Sequence, residues 1–133
     1  MSTASPSARP RVLIVEADLA TFELFDEWLA ADGLQAVDGR RGAPVGTASA
    51  AARQRCDVAL VDVPFPRDEG VELLRGVAAE NPGTPILALS SQFFANVACS
   101  GPCARQFGVA GVLPKPVSRE ALITAVRALL PFR

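Results

Sequence analysis

Residues 57–66 read DVALVDVPFP, and this stretch decides the fold. The apolar run Val58–Val61 is typical of a strand that is buried on both faces of a parallel sheet. Asp62 ends the run, and an unpaired buried carboxylate is costly. We therefore place it at the carboxyl edge of the sheet, where open α/β folds bind their ligands. Pro64 and Pro66 cannot donate ladder hydrogen bonds, so the strand ends and a loop begins. Taken alone, such an aspartate is more often a turn cap than a functional group.

The composition is that of one ordinary globular domain. The chain has 133 residues, of which 50% are hydrophobic and 20% charged, with a net charge of -1. This balance argues against binding to nucleic acid or to an anionic membrane, and no apolar run approaches the ~20 residues of a membrane span.

Residues 1–10 are polar and lack the apolar core of a signal peptide, so we predict a disordered tail on a cytoplasmic protein, followed by one domain over 11–133. Three cysteines without any histidine indicate buried thiols rather than disulfides or a zinc site.

The order of elements predicts an α/β fold. Strands are expected at 11–15, 34–37, 57–63, 85–89 and 109–113. Helices are expected from Asp18 to 31–33, at 47–55, at 71–80, within 92–107 with an interruption at Gly101-Pro102, and at 118–130. Five strands that alternate with helices predict a doubly wound, five-stranded parallel sheet with helices on both faces.

Polar side chains collect where the predicted strands end. In a parallel sheet these ends meet at one edge, and the residues there are Glu16, Asp18, Asp62, Ser90, Ser91 and Lys115. Neighbouring carboxylates favour a hard cation such as Mg²⁺, and a carboxylate can act as a nucleophile toward a phosphoryl group. Phosphoryl transfer also uses an ammonium and a hydrogen-bond donor. Each residue alone has an ordinary structural reading, but their common placement predicts a site.

Four segments together resemble the response-regulator receiver domain of two-component signalling. Residues 12–16 resemble the family's first strand and its acidic residue, and residues 62–66, continuing to Gly70, resemble the phosphoacceptor strand and loop. Residues 85–90 resemble the strand that ends in a switch hydroxyl, and residues 113–116 resemble a Lys-Pro turn whose peptide is commonly cis. The resemblance extends from about Arg11 to the C-terminus and implies the flavodoxin-like receiver fold.

The resemblance implies a role for each matching residue. Asp62 would accept the phosphoryl group, with Mg²⁺ required for the transfer. Glu16 would hold the metal through water, and the carbonyl of Pro64 would complete the shell together with Asp62. Ser90 would bond the phosphoryl group, and Lys115 would pair with the carboxylate and then with the phosphoryl oxygens. The donor would be a histidine kinase or a histidine phosphotransfer protein, and the output protein is unknown.

The chain departs from the family pattern in three places. Ala17 stands where the family usually has a second acidic residue that binds Mg²⁺ directly, so we expect weak metal binding. Asp18 comes one position later and is expected to point elsewhere or to shift into the gap. Val112 stands where the family usually has a switching Tyr or Phe. The fourth helix is interrupted and unusually apolar, which predicts core filling or, if exposed, a homodimer or partner surface.

These observations leave three hypotheses. The first is a single-domain response regulator, not an enzyme, that accepts a phosphoryl group on Asp62 and signals by protein–protein contact. The second is a pseudo-receiver that acts as a phosphorylation-independent binding or dimerisation module. The third is a small nucleotide or flavin binder, which the acidic segment 16–18 disfavours because it would repel phosphate.

Overall fold

A five-stranded parallel sheet forms the centre of the molecule. The computed structural model describes residues 9–39, 56–64, 68–93, 99 and 101–130. The strands lie in the order β2-β1-β3-β4-β5, and every neighbouring pair is parallel. Their bounds are β1 Arg11–Val15, β2 Gln35–Asp38, β3 Val58–Asp62, β4 Ile86–Ser90 and β5 Gly111–Pro114. The predicted doubly wound sheet is confirmed.

Four helices lie within the described part of the chain. They are α1 Leu19–Ala31, α2 Asp68–Glu80, α3 Pro102–Phe107 and α4 Arg119–Leu129. Helix α2 begins before the predicted start at residue 71. Helix α3 begins directly after Gly101, because proline suits the first helical turn, where its missing N–H is not needed. The predicted tail to residue 8, the predicted helix at 47–55 and most of the loop before it fall outside the described residues.

The helix ends follow the capping signals of the sequence. Asp18 caps α1 by accepting a hydrogen bond from the amide of Thr21, and Ser118 caps α4 by accepting one from the amide of Ala121. Gly33 follows α1 with a φ of 80°, a left-handed conformation that glycine adopts at little steric cost.

The core has two parts, one on each face of the sheet. The α1/α4 core lies on one face, and its fully buried side chains include Phe25, Leu29, Leu60, Leu87 and Leu122. The α2/α3 core lies on the other face, with Val61, Leu74, Val77, Ala104 and Val112 among its members. Because all five strands are parallel, their carboxyl ends lie at one edge of the sheet, between the two packed faces.

Two positions on helix faces differ from the sequence prediction. Leu19 was expected on the buried stripe of α1, but it is 51% exposed. Steps of three residues drift around a helix, and Leu19 lies roughly 100° from the buried pair Phe25 and Leu29. Ala121 was expected in the core, but it is exposed beside the buried Leu122 for the same geometrical reason. Among the residues described, no helix combines the length and apolar character needed to span a bilayer.

Candidate functional site

Three charged side chains meet at the carboxyl edge of the sheet. Glu16 directly follows β1, Asp62 ends β3, and Lys115 directly follows β5. The ammonium of Lys115 lies 2.8 Å from Oδ1 of Asp62 and 3.3 Å from Oε1 of Glu16. The side chains are 23% exposed for Lys115, 16% for Asp62 and 4% for Glu16. One lysine therefore bridges two carboxylates that come from different strands.

Burial and charge shift the pKa values within this cluster. The pKa of Glu16 is raised, mainly because burial disfavours its charged form and also because Asp62 is close; the amide of Asp18 and the ammonium of Lys115 act in the opposite direction. At Lys115, burial lowers the pKa, but the hydrogen bond and charge of Asp62, joined by Glu16, outweigh it and the pKa is raised. The lysine is thus held as a cation between the two acids.

Ser90 is connected to the same cluster through the main chain. It is the last residue of β4 and is fully buried. Its hydroxyl oxygen accepts a hydrogen bond of 3.0 Å from the amide of Gln92, and its carbonyl accepts one of 3.0 Å from the amide of Lys115. The peptide bond between Lys115 and Pro116 is cis, as the resemblance implied. The end of β4 and the turn after β5 are therefore held side by side.

The acidic segment after β1 supplies one inward carboxylate. Glu16 is buried, whereas Ala17 and Asp18 are exposed. The carboxylate of Asp18 accepts hydrogen bonds from the hydroxyl and the amide of Thr21 at the start of α1. The hydroxyl contributes most to lowering the pKa of Asp18, followed by the amide. Pro64, two residues after Asp62, is exposed. Within the described residues, no group of three His, Cys, Asp or Glu side chains has the arrangement of a metal site, so the protein ligands fit a divalent cation only in part.

The sequence did not indicate how residue 99 contacts β5. Val112 is fully buried in the α2/α3 core, and its amide donates a hydrogen bond of 2.9 Å to the carbonyl of Cys99. Gly111 lies directly beneath the same residue, since a Cβ built there would come 2.8 Å from the Cys99 sulfur. The available signal was Gly111 itself, because a glycine within a strand often marks a close approach of other atoms.

Comparison with known proteins identifies the family. The response regulator receiver domain matches residues 12–127, and the chain therefore belongs to that family. Its members are signalling modules of two-component systems, generally not enzymes, and they typically bind Mg²⁺. The family match covers β1 from Val12 onward, the other four strands, and Glu16, Asp62 and Lys115.

Individual relatives agree with this assignment. The chain is 31% identical over 119 residues to the probable transcriptional regulatory protein TcrX of Mycobacterium tuberculosis, covering 90% of this chain and 49% of that protein. It is 32% identical over 120 residues to the response regulator MprA of Mycobacterium leprae, covering 90% and 50%. The chain thus spans about half the length of these relatives. It is also similar to the chemotaxis protein CheY4 of Vibrio cholerae, with a TM-score of 0.67, 25% identity and coverage of 92% of this chain and 100% of that one.

Proposed function

We propose that this receiver domain accepts a phosphoryl group on Asp62 from a histidine kinase or a histidine phosphotransfer protein and signals by protein–protein contact in the cytoplasm. The observation that carries the proposal is the Lys115 ammonium, which is hydrogen-bonded to Asp62 and Glu16 at the carboxyl edge of the sheet. A lysine held between two carboxylates has a clear use when one of them gains a phosphoryl group, whose oxygens need a cation.

The contacts suggest how the residues divide the work. Lys115 holds Oδ1 of Asp62, so Oδ2 is the oxygen that we expect to attack phosphorus. A bond from Oδ2 to phosphorus forms as the bond from phosphorus to the donor imidazole breaks, which leaves an acyl phosphate on Asp62. The hydroxyl of Ser90 would then donate to a phosphoryl oxygen, and Lys115 would pair with another.

Magnesium is the cofactor of this proposal, and we expect it to bind weakly. Glu16, Asp62 and the carbonyl of Pro64 are the groups that would hold it, and the cation would neutralise charge on the phosphoryl oxygens. Ala17 contributes only a methyl group, and Asp18 is engaged at the start of α1. Mg²⁺ is usually held by few protein ligands, so the loss of one carboxylate is a large share of its shell.

Phosphorylation with a small donor tests the proposal directly. The protein is incubated with acetyl phosphate and Mg²⁺, and intact-mass spectrometry is expected to show one added phosphoryl group. The Asp62→Asn variant keeps the shape of the side chain but lacks the nucleophile, so it should gain no mass. An unmodified wild-type chain, under conditions that label ordinary receiver domains, would contradict the proposal.

The Ala17→Asp variant tests the weak metal site in the same assay. An added carboxylate beside Glu16 should lower the Mg²⁺ concentration for half-maximal phosphorylation on the order of tenfold, which is comparable to what one supporting residue contributes to metal affinity. Ala17→Ser introduces a polar side chain without a charge at the same exposed position, and it serves as the matched control. Equal Mg²⁺ dependence of wild type and Ala17→Asp would show that the metal site is not depleted.

A second candidate function is the pseudo-receiver, a binding or dimerisation module that works without phosphorylation. Ala17 and the buried Val112, which has no ring to move, favour it. The two functions differ in what Asp62→Asn does to signalling output in cells. Loss of output supports phosphotransfer, whereas unchanged output with a normally folded variant supports the pseudo-receiver.

A further inference from the structure

Two aspartates of the chain are each followed directly by a glycine. They are Asp32, the C-cap of α1, before Gly33, and Asp38, the last residue of β2, before Gly39. The backbone nitrogen of the following residue can attack the side-chain carboxyl carbon of an aspartate, and glycine has no side chain to hinder that approach. These two pairs are therefore the positions at which the chain can most readily rearrange to isoaspartate.

The rearrangement at Asp32 would proceed in two balanced steps. A bond forms from the Gly33 nitrogen to Cγ of Asp32 as the bond from Cγ to one carboxyl oxygen breaks, and that oxygen leaves as water with the amide hydrogen and one further proton. A water molecule then opens the cyclic imide. When it adds at the former main-chain carbonyl carbon, the bond from that carbon to the Gly33 nitrogen breaks and the main chain runs through Cγ. Water is the only co-reactant.

The two glycines differ in the space around them. A Cβ built on Gly33 would meet nothing within 4 Å, whereas one on Gly39 would lie 2.6 Å from the side chain of Leu13. The amide of Gly39 also donates to the carbonyl of Ile14 across the sheet at 2.9 Å. Room for the cyclic imide and for water is therefore present at Asp32, and the corresponding space at Asp38 is filled.

The main chain at Asp32 holds the reacting atoms apart. Its ψ of 14° turns the Gly33 nitrogen away from Cβ, so ring closure needs a large rotation about the bond between Cα and the carbonyl carbon. The carbonyl oxygen that would turn with it accepts a 2.7 Å hydrogen bond from Arg127, and the Gly33 amide donates to the Ala30 carbonyl at 3.1 Å. Both bonds must break before the nitrogen can reach Cγ.

The same arginine also holds the reacting carboxyl group. Nε of Arg127 donates to Oδ2 of Asp32 at 2.6 Å, and the planar guanidinium can make this bond and the carbonyl bond at once. The side chains are 53% exposed for Arg127 and 28% for Asp32, so water has access to the carboxyl group. Arg127 therefore restrains both the main chain and the side chain of Asp32 at a site that is open to solvent.

We propose that Asp32-Gly33 is a site of spontaneous isomerisation to isoaspartate, and that the two hydrogen bonds from Arg127 set its rate in the folded protein. The reaction occurs when the end of α1 opens locally, since helix ends open more readily than the core. Isomerisation adds one main-chain carbon at the C-cap, so the modified α1 loses the bonds that join it to Arg127 on α4. The inference does not depend on phosphorylation of Asp62.

Peptide mapping of the aged protein measures this chemistry. Wild type, Arg127→Gln and Arg127→Lys are incubated as full chains at neutral pH, and electron-transfer fragmentation quantifies isoaspartate at positions 32 and 38. We expect Arg127→Gln to form isoaspartate at position 32 about tenfold faster than wild type, since the net strength of the lost bonds corresponds to about that change in the open population. Arg127→Lys keeps the charge without the planar fork and should react nearly as fast as Arg127→Gln.

Position 38 is the internal control, because Gly39 is packed against Leu13 within the sheet. Its slow rate should be the same in all three proteins. A parallel rise at position 38 would show that the substitutions act through global unfolding, and this would overturn the inference. Equal rates at position 32 in wild type and Arg127→Gln, or a wild-type rate in Arg127→Lys, would overturn it as well.

The chain unfolded in guanidinium chloride supplies the unrestrained rates. Once the fold is lost, both aspartates precede a glycine that nothing holds, so both positions should form isoaspartate at similar rates that exceed those of the folded wild type. A chain that reacts at position 38 and not at position 32 under these conditions would contradict the assignment of Asp32-Gly33 as the site.

Discussion

Glu16 is a buried carboxylate within the candidate site. It is 4% exposed, and its two oxygens bind the ammonium of Lys115 and the amide of Asp18. Burial is the largest influence on its pKa and raises it above the ordinary value of 4.5. The folded protein therefore binds a proton at Glu16 more tightly than the unfolded chain does.

This shift predicts a pH dependence of stability. A raised folded-state pKa gives a stabilisation that is fully present below pH 4.5 and is lost as the pH rises through the folded pKa. The free energy of unfolding of wild type minus that of Glu16→Gln should therefore be larger at pH 4 than at pH 7, as measured by urea unfolding. A difference that is flat or that rises with pH would contradict the account.

Sequence reasoning reached the identity of these residues and, through the family resemblance, the pairing of Lys115 with Asp62, but not the second contact of Lys115 with Glu16. The end of an apolar strand marks Asp62, and a helix start marks Asp18 as a cap. Lys115 contacts Glu16 as well as Asp62. This double contact depends on the register of β1, β3 and β5 in the sheet and on the length of the flexible lysine side chain. Neither quantity is encoded in local spacing, so the bridge is visible only in three dimensions.

At the scale of elements, α1 and α4 are joined by one arginine. Arg127 on α4 donates from Nε to Oδ2 of Asp32 at 2.6 Å and from its terminal nitrogen to the Asp32 carbonyl at 2.7 Å. Asp32 is the C-cap of α1, so the guanidinium also lies at the negative end of the helix. The planar fork of arginine is what allows both bonds at once.

Arg127→Lys is expected to lower the free energy of unfolding by about 0.5 kcal/mol, since the pair is exposed and partly screened by solvent. Urea unfolding measures the change. Arg75→Lys is the matched control, because Arg75 makes only a 3.9 Å exposed pair with Glu72, and we expect it to change stability by less than about 0.3 kcal/mol. Equal effects of the two substitutions would show that the two hydrogen bonds from Arg127 to Asp32 add nothing to the free energy of unfolding.

Element order was predictable because each strand and helix carries its own pattern. The bounds of the strands agree within two residues, and the break at Gly101-Pro102 is the start of α3. The exposure of Leu19 was not predictable from an apolar stripe alone, because the width of the buried face depends on what packs against it. The contact of Cys99 with β5 also gave no periodic signal, since it joins a single residue to the strand.

The whole molecule depends on two cores that share one sheet. Strands β1, β3 and β4 alternate their side chains between the α1/α4 core and the α2/α3 core. Leu122 connects α4 to this arrangement and is fully buried. Because both cores contact the same strands, we expect a substitution that destabilises one core to lower the free energy of unfolding of the whole domain.

Leu122→Ala should lower the free energy of unfolding by about 2–5 kcal/mol, the range for removal of a fully buried leucine side chain. The denaturant midpoint should fall while the slope stays constant. Thr124→Ala, on the exposed side of the same helix, should change stability by less than about 0.5 kcal/mol. A small effect at Leu122, or an altered slope, would indicate that α4 is not integrated with the rest of the core.

The outer edge of β5 also bears on how copies of the protein behave at high concentration. An exposed edge strand is a template for further strands, and proteins avoid uncontrolled growth by leaving few free donors there. Here Val112 already donates to Cys99, and Pro114, two residues further along the same edge, has no N–H to offer. Within the described residues, the outer edge of β5 thus has few amides left to donate, which disfavours the pairing of a further strand there.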